Sequence, residues 1–237
     1  MKTLNLYAGI GGNRKDWSGV EVTAVEINPA IAEVYSDLYP QDTVIVGDAH
    51  QYLLENYQNF DFIWTSPPCP THGQYRYNVG VRAKGYKGVY PEMSLYQEII
   101  FLQYHFAGLY AVENVVSYYE PLIKPQKVGR HYVWSNFEID PFESEASNIR
   151  SKNKISDFQE YDLSKYKLPN KRQVLRNCVN SSLGLHIFLC AQHRLHLTAL
   201  RRCPQSSIPC KVVLLQKYLP LQSAAGKANR WADTYGN

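Results

Sequence analysis

The stretch TSPPCPTHGQYR (65–76) fixes Cys69 between three prolines and then runs into a segment rich in glycine, tyrosine and arginine. A thiolate is a strong nucleophile, yet a free thiol is only slightly ionised at neutral pH. A cysteine that attacks an electrophile therefore has to be held stiffly and activated, by neighbouring donors or a helix N-terminus. Glu113, in VENV (112–115), adds a carboxyl group able to give or take a proton if the fold sets it beside Cys69. A third group is YAGIGGNR (7–14), where Gly9, Gly11 and Gly12 would let backbone approach a ligand at a strand-to-helix turn. Glu26 ends the next apolar run, where it could accept from ribose hydroxyls, so a nucleoside cofactor fits. The dinucleotide fingerprint would need glycine at position 14, which is Arg14 here, and this weakens a nicotinamide or flavin reading. Asp48, in VGDAH, could accept from an adenine amino group, cap the following helix, or do both. Each residue alone has a plainer explanation in packing, capping or a tight turn, and the conjunction carries the functional reading.

Positioning these groups requires a sheet whose strands end at one edge. Apolar runs at 3–7, 21–26, 42–47, 60–65, 109–114 and 131–139 read as strands, and 29–39, 49–57 and 94–108 read as helices between them. This alternation predicts an α/β fold: a mainly parallel sheet with helices on both faces and a ligand crevice at the carboxyl ends of the strands. The strand rhythm fades near residue 140. Two regions are therefore expected, a catalytic and cofactor-binding domain over 1–139 and a short, divergent recognition region over 140–237.

The composition is that of one globular core with an appendage: 237 residues, 45% hydrophobic and 19% charged. The net charge of +4 conceals an asymmetry. Residues 1–120 carry 7 Lys+Arg against 13 Asp+Glu, and residues 121–237 carry 18 against 8, which points to a polyanionic partner for the second half. Five cysteines (69, 178, 190, 203 and 210) without paired short spacing argue against a disulfide framework and against a CxxC zinc site, so no metal is expected. There is no run of eighteen apolar residues and no leader ahead of TLNLY, so a cytoplasmic protein with no membrane partner is expected.

With YAGIGG, the acid at Glu26, GDA, SPPCP, ENV and QKVGR in that order, the chain resembles the DNA (cytosine-5)-methyltransferases of bacterial and phage type over roughly residues 3–139. The resemblance implies the Rossmann-like S-adenosylmethionine-dependent methyltransferase sheet. It implies S-adenosylmethionine along Tyr7, Ala8, Gly9, Ile10, Gly11 and Gly12, with Glu26 and Ile27 at its ribose, Asp48 and Ala49 near its adenine, and Pro68 near the methyl donor. Cys69 would be the nucleophile that adds to C6 of cytosine, Glu113 the acid at N3, and Arg130 the residue holding O2. The target base would be flipped out of double-stranded DNA. Arg76, Arg82, Lys84 and Lys87, interleaved with tyrosines in 71–90, would contact that DNA. A monomer associated with the nucleoid is expected, with a cognate restriction endonuclease as partner if the enzyme protects DNA.

The chain departs from that family in having Pro70 after the nucleophile, where glutamine is usual, and Val128 in place of the first arginine of the QxRxR element. After RQVLRNCVNSSLGLHIF (172–188), which still resembles phage-type relatives, no late family motif is evident except a closing YGN (235–237). Three other readings stay open. An amino-methylating DNA enzyme would have an aromatic residue at position 69, a tRNA methyltransferase relative would share PPC and ENV, and a catalytically dead nucleic-acid-binding relative would retain the basic half and lose turnover.

Overall fold

Strands of this chain alternate buried residues between two faces, so each must be covered twice. In the computed structural model, which describes residues 1–142 and 161–202, β1 (Lys2–Leu6), β2 (Glu21–Glu26), β3 (Thr43–Val46), β4 (Phe62–Thr65) and β5 (Leu109–Val115) form a parallel sheet. The sheet continues antiparallel into β7 (His131–Ser135) and then β6 (Gln126–Val128), giving the order β3-β2-β1-β4-β5-β7-β6. The mainly parallel sheet expected from the sequence is present, and the β6–β7 hairpin is an addition to it. The strand order reverses between β1 and β4, and ligands of such sheets sit at that switch, beyond the carboxyl ends.

Three helices follow their strands as the apolar spacing predicts. Asn28 caps α1 (Pro29–Leu38) by accepting from the amides of Ala30 and Ile31, with Pro29 at the first helical position. Asp48 caps α2 (Ala49–Asn56) through the Gln51 amide, and α3 is Ser94–His105. On one face Leu4, Leu6, Ile63 and Val112 pack with Leu53 of α2 and with Leu95, Ile99 and Leu102 of α3. On the other face Phe62, Trp64 and Ala111 pack with Trp17 and with Leu183, Ile187 and Phe188. These last three belong to α5 (Ser181–Arg202), which follows α4 (Lys171–Asn177). None of the helices among the described residues is long and apolar enough to cross a membrane.

Two expectations change. The glycine turn after β1 leads into successive tight turns rather than a helix, with the Arg14 amide donating to Gly11 O and the Trp17 amide to Arg14 O. The face a helix would have covered there is taken by α5: Trp17 stacks on Phe188 with ring centroids 4.8 Å apart, and its Nε1 donates to Gly184 O. The boundary read at 139/140 also falls inside one compact unit, Met1–Leu197. Apolar residues of 161–191 complete the core: Leu183, Ile187 and Phe188 cover the strands, and Tyr161 and Leu163 pack beside Ile10 of the glycine turn and Val34 of α1. Residues 143–160 and 203–237 lie outside the described residues, as do Cys203, Cys210 and YGN.

Gly184 provides a test of this seating. Helix propensity alone would favour alanine there by about 1 kcal/mol. A Cβ at Gly184 would stand 2.4 Å from Asn13 O and 2.6 Å from Asn13 Cα, backbone atoms that cannot swing aside. Overpacking of this kind costs about 1–3 kcal/mol. Gly184→Ala should therefore lower the melting temperature, while Leu189→Ala on the exposed side of the same helix should leave it nearly unchanged. An alanine variant more stable than the parent would show that α5 does not press on the 13–17 turn.

Candidate active site

Four carboxyl-edge segments converge at the switch between β1 and β4. The first is the turn leaving β1. Tyr7 adopts φ 54°, the only positive φ at a non-glycine position among the described residues, and Gly9 follows at φ 55°. Glu26, buried at the end of β2, binds this turn directly: Oε2 accepts from the Gly9 amide at 3.0 Å and Oε1 from the Asn28 amide at 2.9 Å. A Cβ on Gly9 would meet nothing within 4 Å, so the space in front of it is open to a ligand. Gly11 and Gly12 are small for a different reason. A Cβ on Gly11 would lie 2.3 Å from the Tyr39 ring, and one on Gly12 would lie 2.6 Å from Val179 O. Ala8 and Ile10 point their side chains into the core, so only their backbone can face a cofactor.

Beside this turn the edge offers an apolar surface and an acceptor. Glu26 pairs with Val46, and Val46 is 56% exposed while Ile27 is 69% exposed, unusual for such side chains next to a buried acid. Asp48 stands exposed at the start of α2, using Oδ1 for its cap, and Ala49 is buried behind it. Arg14, where the dinucleotide fingerprint has glycine, is part of the scaffold. Its Nε and one terminal nitrogen grip Asp42 at 2.8 and 2.9 Å, Nη1 donates to Trp17 O, and Tyr35 donates to the same carboxylate. Breaking so buried an ion pair costs about 3–5 kcal/mol, so it holds the turn against α1.

The second half of the edge carries the thiol. Pro67 is buried, Pro68 and Pro70 are exposed, and Cys69 is partly buried. The loop is pinned by Asn114, whose Nδ2 donates to Pro67 O at 3.0 Å, and Cys69 O accepts from the amides of His72 and Gly73. Asn114 is part of the ENV motif, but nothing in its residue type signals that it holds the proline loop. Glu113 is 5% exposed, with Oε2 accepting from Ser66 Oγ at 2.9 Å and Oε1 lying 2.6 Å from His131 Nδ1. His131 and Ser66 were not picked out from the sequence, because neither the β6–β7 pairing nor the turn after β4 is visible there.

The electrostatics run against a resting thiolate. Burial pushes the Cys69 thiol above its ordinary range, and the Glu113 charge raises it further. A hydrogen bond with backbone offsets this only in part, so the thiol is held toward its protonated form. Arg130 is exposed in the β6–β7 turn, one residue before His131, at the same edge as Glu113. Val128, where an arginine is usual, is buried in the core against Val133 and is no site residue.

The segment after Cys69 is partly ordered by its neighbours. The Tyr118 amide donates to His72 O, Gln74 Nε2 donates to Ser117 O, and Tyr77 stacks on Tyr118 at 4.4 Å. A π-helical stretch, Arg76–Ala83, follows. Arg82, Lys84 and Lys87 are exposed together with Tyr75, Tyr86 and Tyr90, and Arg76 is half-buried beside Tyr77 in a small pocket with Thr71, Val89 and Tyr118.

Residues 1–92 match the family described as C-5 cytosine-specific DNA methylase. No curated protein sequence matches the chain significantly. Among solved structures, a DNMT2 mutant from Spodoptera frugiperda is 25% identical, with 48% of this chain and 35% of that one covered and a TM-score of 0.34. A protein described as a DNA modification methyltransferase encoded within an Escherichia coli prophage is 20% identical, with 51% and 33% covered and a TM-score of 0.33. The Entamoeba histolytica methyltransferase EhMeth is 14% identical, with 72% and 63% covered and a TM-score of 0.39. The family match over residues 1–92 bears out the resemblance carried by the motifs in that part of the chain.

Proposed function

We propose that this protein transfers a methyl group from S-adenosylmethionine to C5 of a cytosine flipped out of double-stranded DNA, through a covalent adduct of Cys69 at C6. The observation that carries the reading is that the loop bearing Cys69 is tied to the strand bearing Glu113 at the carboxyl ends of adjacent strands, by Ser66 Oγ donating to Glu113 Oε2 and Asn114 Nδ2 donating to Pro67 O. C5 of cytosine is a weak nucleophile. Addition of sulfur to C6 converts C5 into an enamine carbon, and the charge this sends into the ring is relieved by a proton or hydrogen bond at N3. The thiol proton passes to Glu113, which Ser66 and His131 hold in place; while Glu113 carries it, the charge that suppresses the thiolate is gone. As sulfur adds to C6, Glu113 passes the proton on to N3 and returns to the carboxylate, so acid and nucleophile work as one unit. After methylation a base removes the C5 proton, the C5–C6 double bond re-forms and Cys69 leaves.

The cofactor, when bound, supplies an electrophilic methyl group. The residues present fit it: Gly9 offers open backbone, Glu26 accepts from ribose hydroxyls with its remaining lone pairs, Ile27 and Val46 form a platform for a purine, and Asp48 keeps one carboxylate oxygen for its amino group. Arg130 holds O2 of the base. Arg76, Arg82, Lys84 and Lys87 contact phosphates as the 71–90 segment closes over the DNA, and 140–237 adds recognition contacts. The protein acts as a cytoplasmic monomer.

Incubating the full chain with methyl-labelled S-adenosylmethionine and either duplex DNA or tRNA, then separating nucleosides, tests the reaction directly. Label should enter 5-methyldeoxycytidine. Label in N4- or N6-methylated bases would overturn the mechanism, label in RNA alone would overturn the substrate, and none at all would favour a binding protein without turnover.

The electrostatic pairing has its own test without any substrate. Because the Cys69 thiol is raised, its alkylation by iodoacetamide, read by peptide mass spectrometry, should reach half-maximal rate at a higher pH than free cysteine. Glu113→Gln removes one of the two causes, so the midpoint should move down and alkylation at a fixed pH below it should accelerate. An unmoved midpoint would mean that the carboxylate does not reach the thiol.

A further inference from the structure

Glu98 lies in the middle of α3 with 0% of its surface exposed, and the reaction above gives it no part. Its carboxylate accepts from Tyr7 OH at 2.5 Å and from Thr65 Oγ1 at 2.7 Å, and His50 Nδ1 lies 3.1 Å away. These partners come from three separate segments of the candidate site. Tyr7 is the first residue past β1, Thr65 is the last of β4 and leads directly into Ser66–Pro70, and His50 stands in the first turn of α2 beside Asp48. Leu95, Ile99 and Leu102 already fasten α3 to the sheet, so a carboxylate is not needed for packing.

A buried carboxylate stays charged only if its donors stay in place, and this constrains the donors as strongly as it constrains the acid. Burial and the Glu98 charge push the Tyr7 phenol up, so it keeps its proton and remains a donor. Tyr7 is also the residue held in the left-handed region, a conformation that a side chain with a Cβ resists unless its surroundings impose it. The hydroxyl contact with Glu98 fixes the far end of that side chain, while the Ala8 and Gly9 amides fix the backbone that follows by donating to Val25 O and Glu26 Oε2.

We propose that Glu98 is a positioning residue that locks the turn after β1 to the loop carrying Cys69, through Tyr7 on one side and Thr65 on the other. The inference rests on the methyl-transfer reading, in which the first loop holds the methyl donor and the second the nucleophile. Sulfur and methyl group must approach one cytosine ring from fixed positions, and small misplacements of reacting groups cost rate steeply. A shared buried anchor keeps both loops in one frame.

The test uses the full chain with Glu98→Gln, Tyr7→Phe and Thr65→Val, and the double variant Tyr7→Phe/Glu98→Gln. Amide hydrogen exchange without ligand is followed in peptides covering 7–12 and 65–74, and S-adenosylmethionine affinity is measured by calorimetry. Tyr7→Phe should speed exchange in 65–74 and Thr65→Val should speed it in 7–12, each reaching the loop it does not touch. Glu98→Gln should speed both. Glu98→Gln and Tyr7→Phe should each weaken S-adenosylmethionine binding about tenfold, and the double variant should be no worse than the weaker single one. Effects confined to the substituted segment, or additive losses in affinity, would overturn the lock. Cross-loop exchange in a protein that binds no S-adenosylmethionine would uphold the lock and sink the cofactor reading, so the two failures are distinguishable.

Discussion

Cys69 sits where both burial and the neighbouring Glu113 charge disfavour the thiolate. In the proposed reaction this makes Glu113 the relay for the thiol proton, because addition to a cytosine ring needs a thiolate to attack C6 and a proton to place at N3. A site that stabilised the thiolate permanently would expose a reactive sulfur in the resting protein. Here the thiol is held toward its protonated form, and in the proposed reaction its proton passes through Glu113 to N3 of the bound base.

Keeping that pair together falls to groups that do no chemistry. Asn114 ties the proline loop to the strand bearing Glu113, and Ser66 and His131 occupy the two carboxylate oxygens. The parallel pairing of β4 with β5 brings the two strand ends level, with Thr65 opposite Val112. On the cofactor side Glu26 bridges Gly9 and Asn28, and the Arg14–Asp42 pair holds the following turns against α1. Behind them all, α5 covers the face that those turns leave bare.

The parts of this arrangement that were legible in the sequence depend on local rules. Strand periodicity, the Asp48 cap and the placement of Cys69, Glu26 and Glu113 at strand ends all follow from short stretches of chain. The parts that were not legible depend on partners far away in sequence. Gly12 must be small because Val179 lies on it, Gly11 because Tyr39 does, and neither reason can be seen in YAGIGG. Arg14 read as a missing glycine and proves to be half of a buried ion pair with Asp42, 28 residues away. The β6–β7 hairpin and the turn-covering role of α5 escaped for the same reason, since a three-residue strand and a helix of mixed polarity give little local signal.

The covalent role of Cys69 is the claim on which the rest turns, and a mechanism-based trap tests it most directly. Removal of the C5 proton is needed before the sulfur can leave, and fluorine at C5 cannot be removed in that way. Duplex DNA containing 5-fluorocytosine at a methylated site, incubated with S-adenosylmethionine, should yield a protein–DNA band that survives denaturing electrophoresis. Cys69→Ser should abolish it while leaving DNA binding largely intact, because the substitution removes the nucleophile and little contact area. An adduct that persists in Cys69→Ser, or none with the parent protein on DNA it demonstrably methylates, would contradict the account.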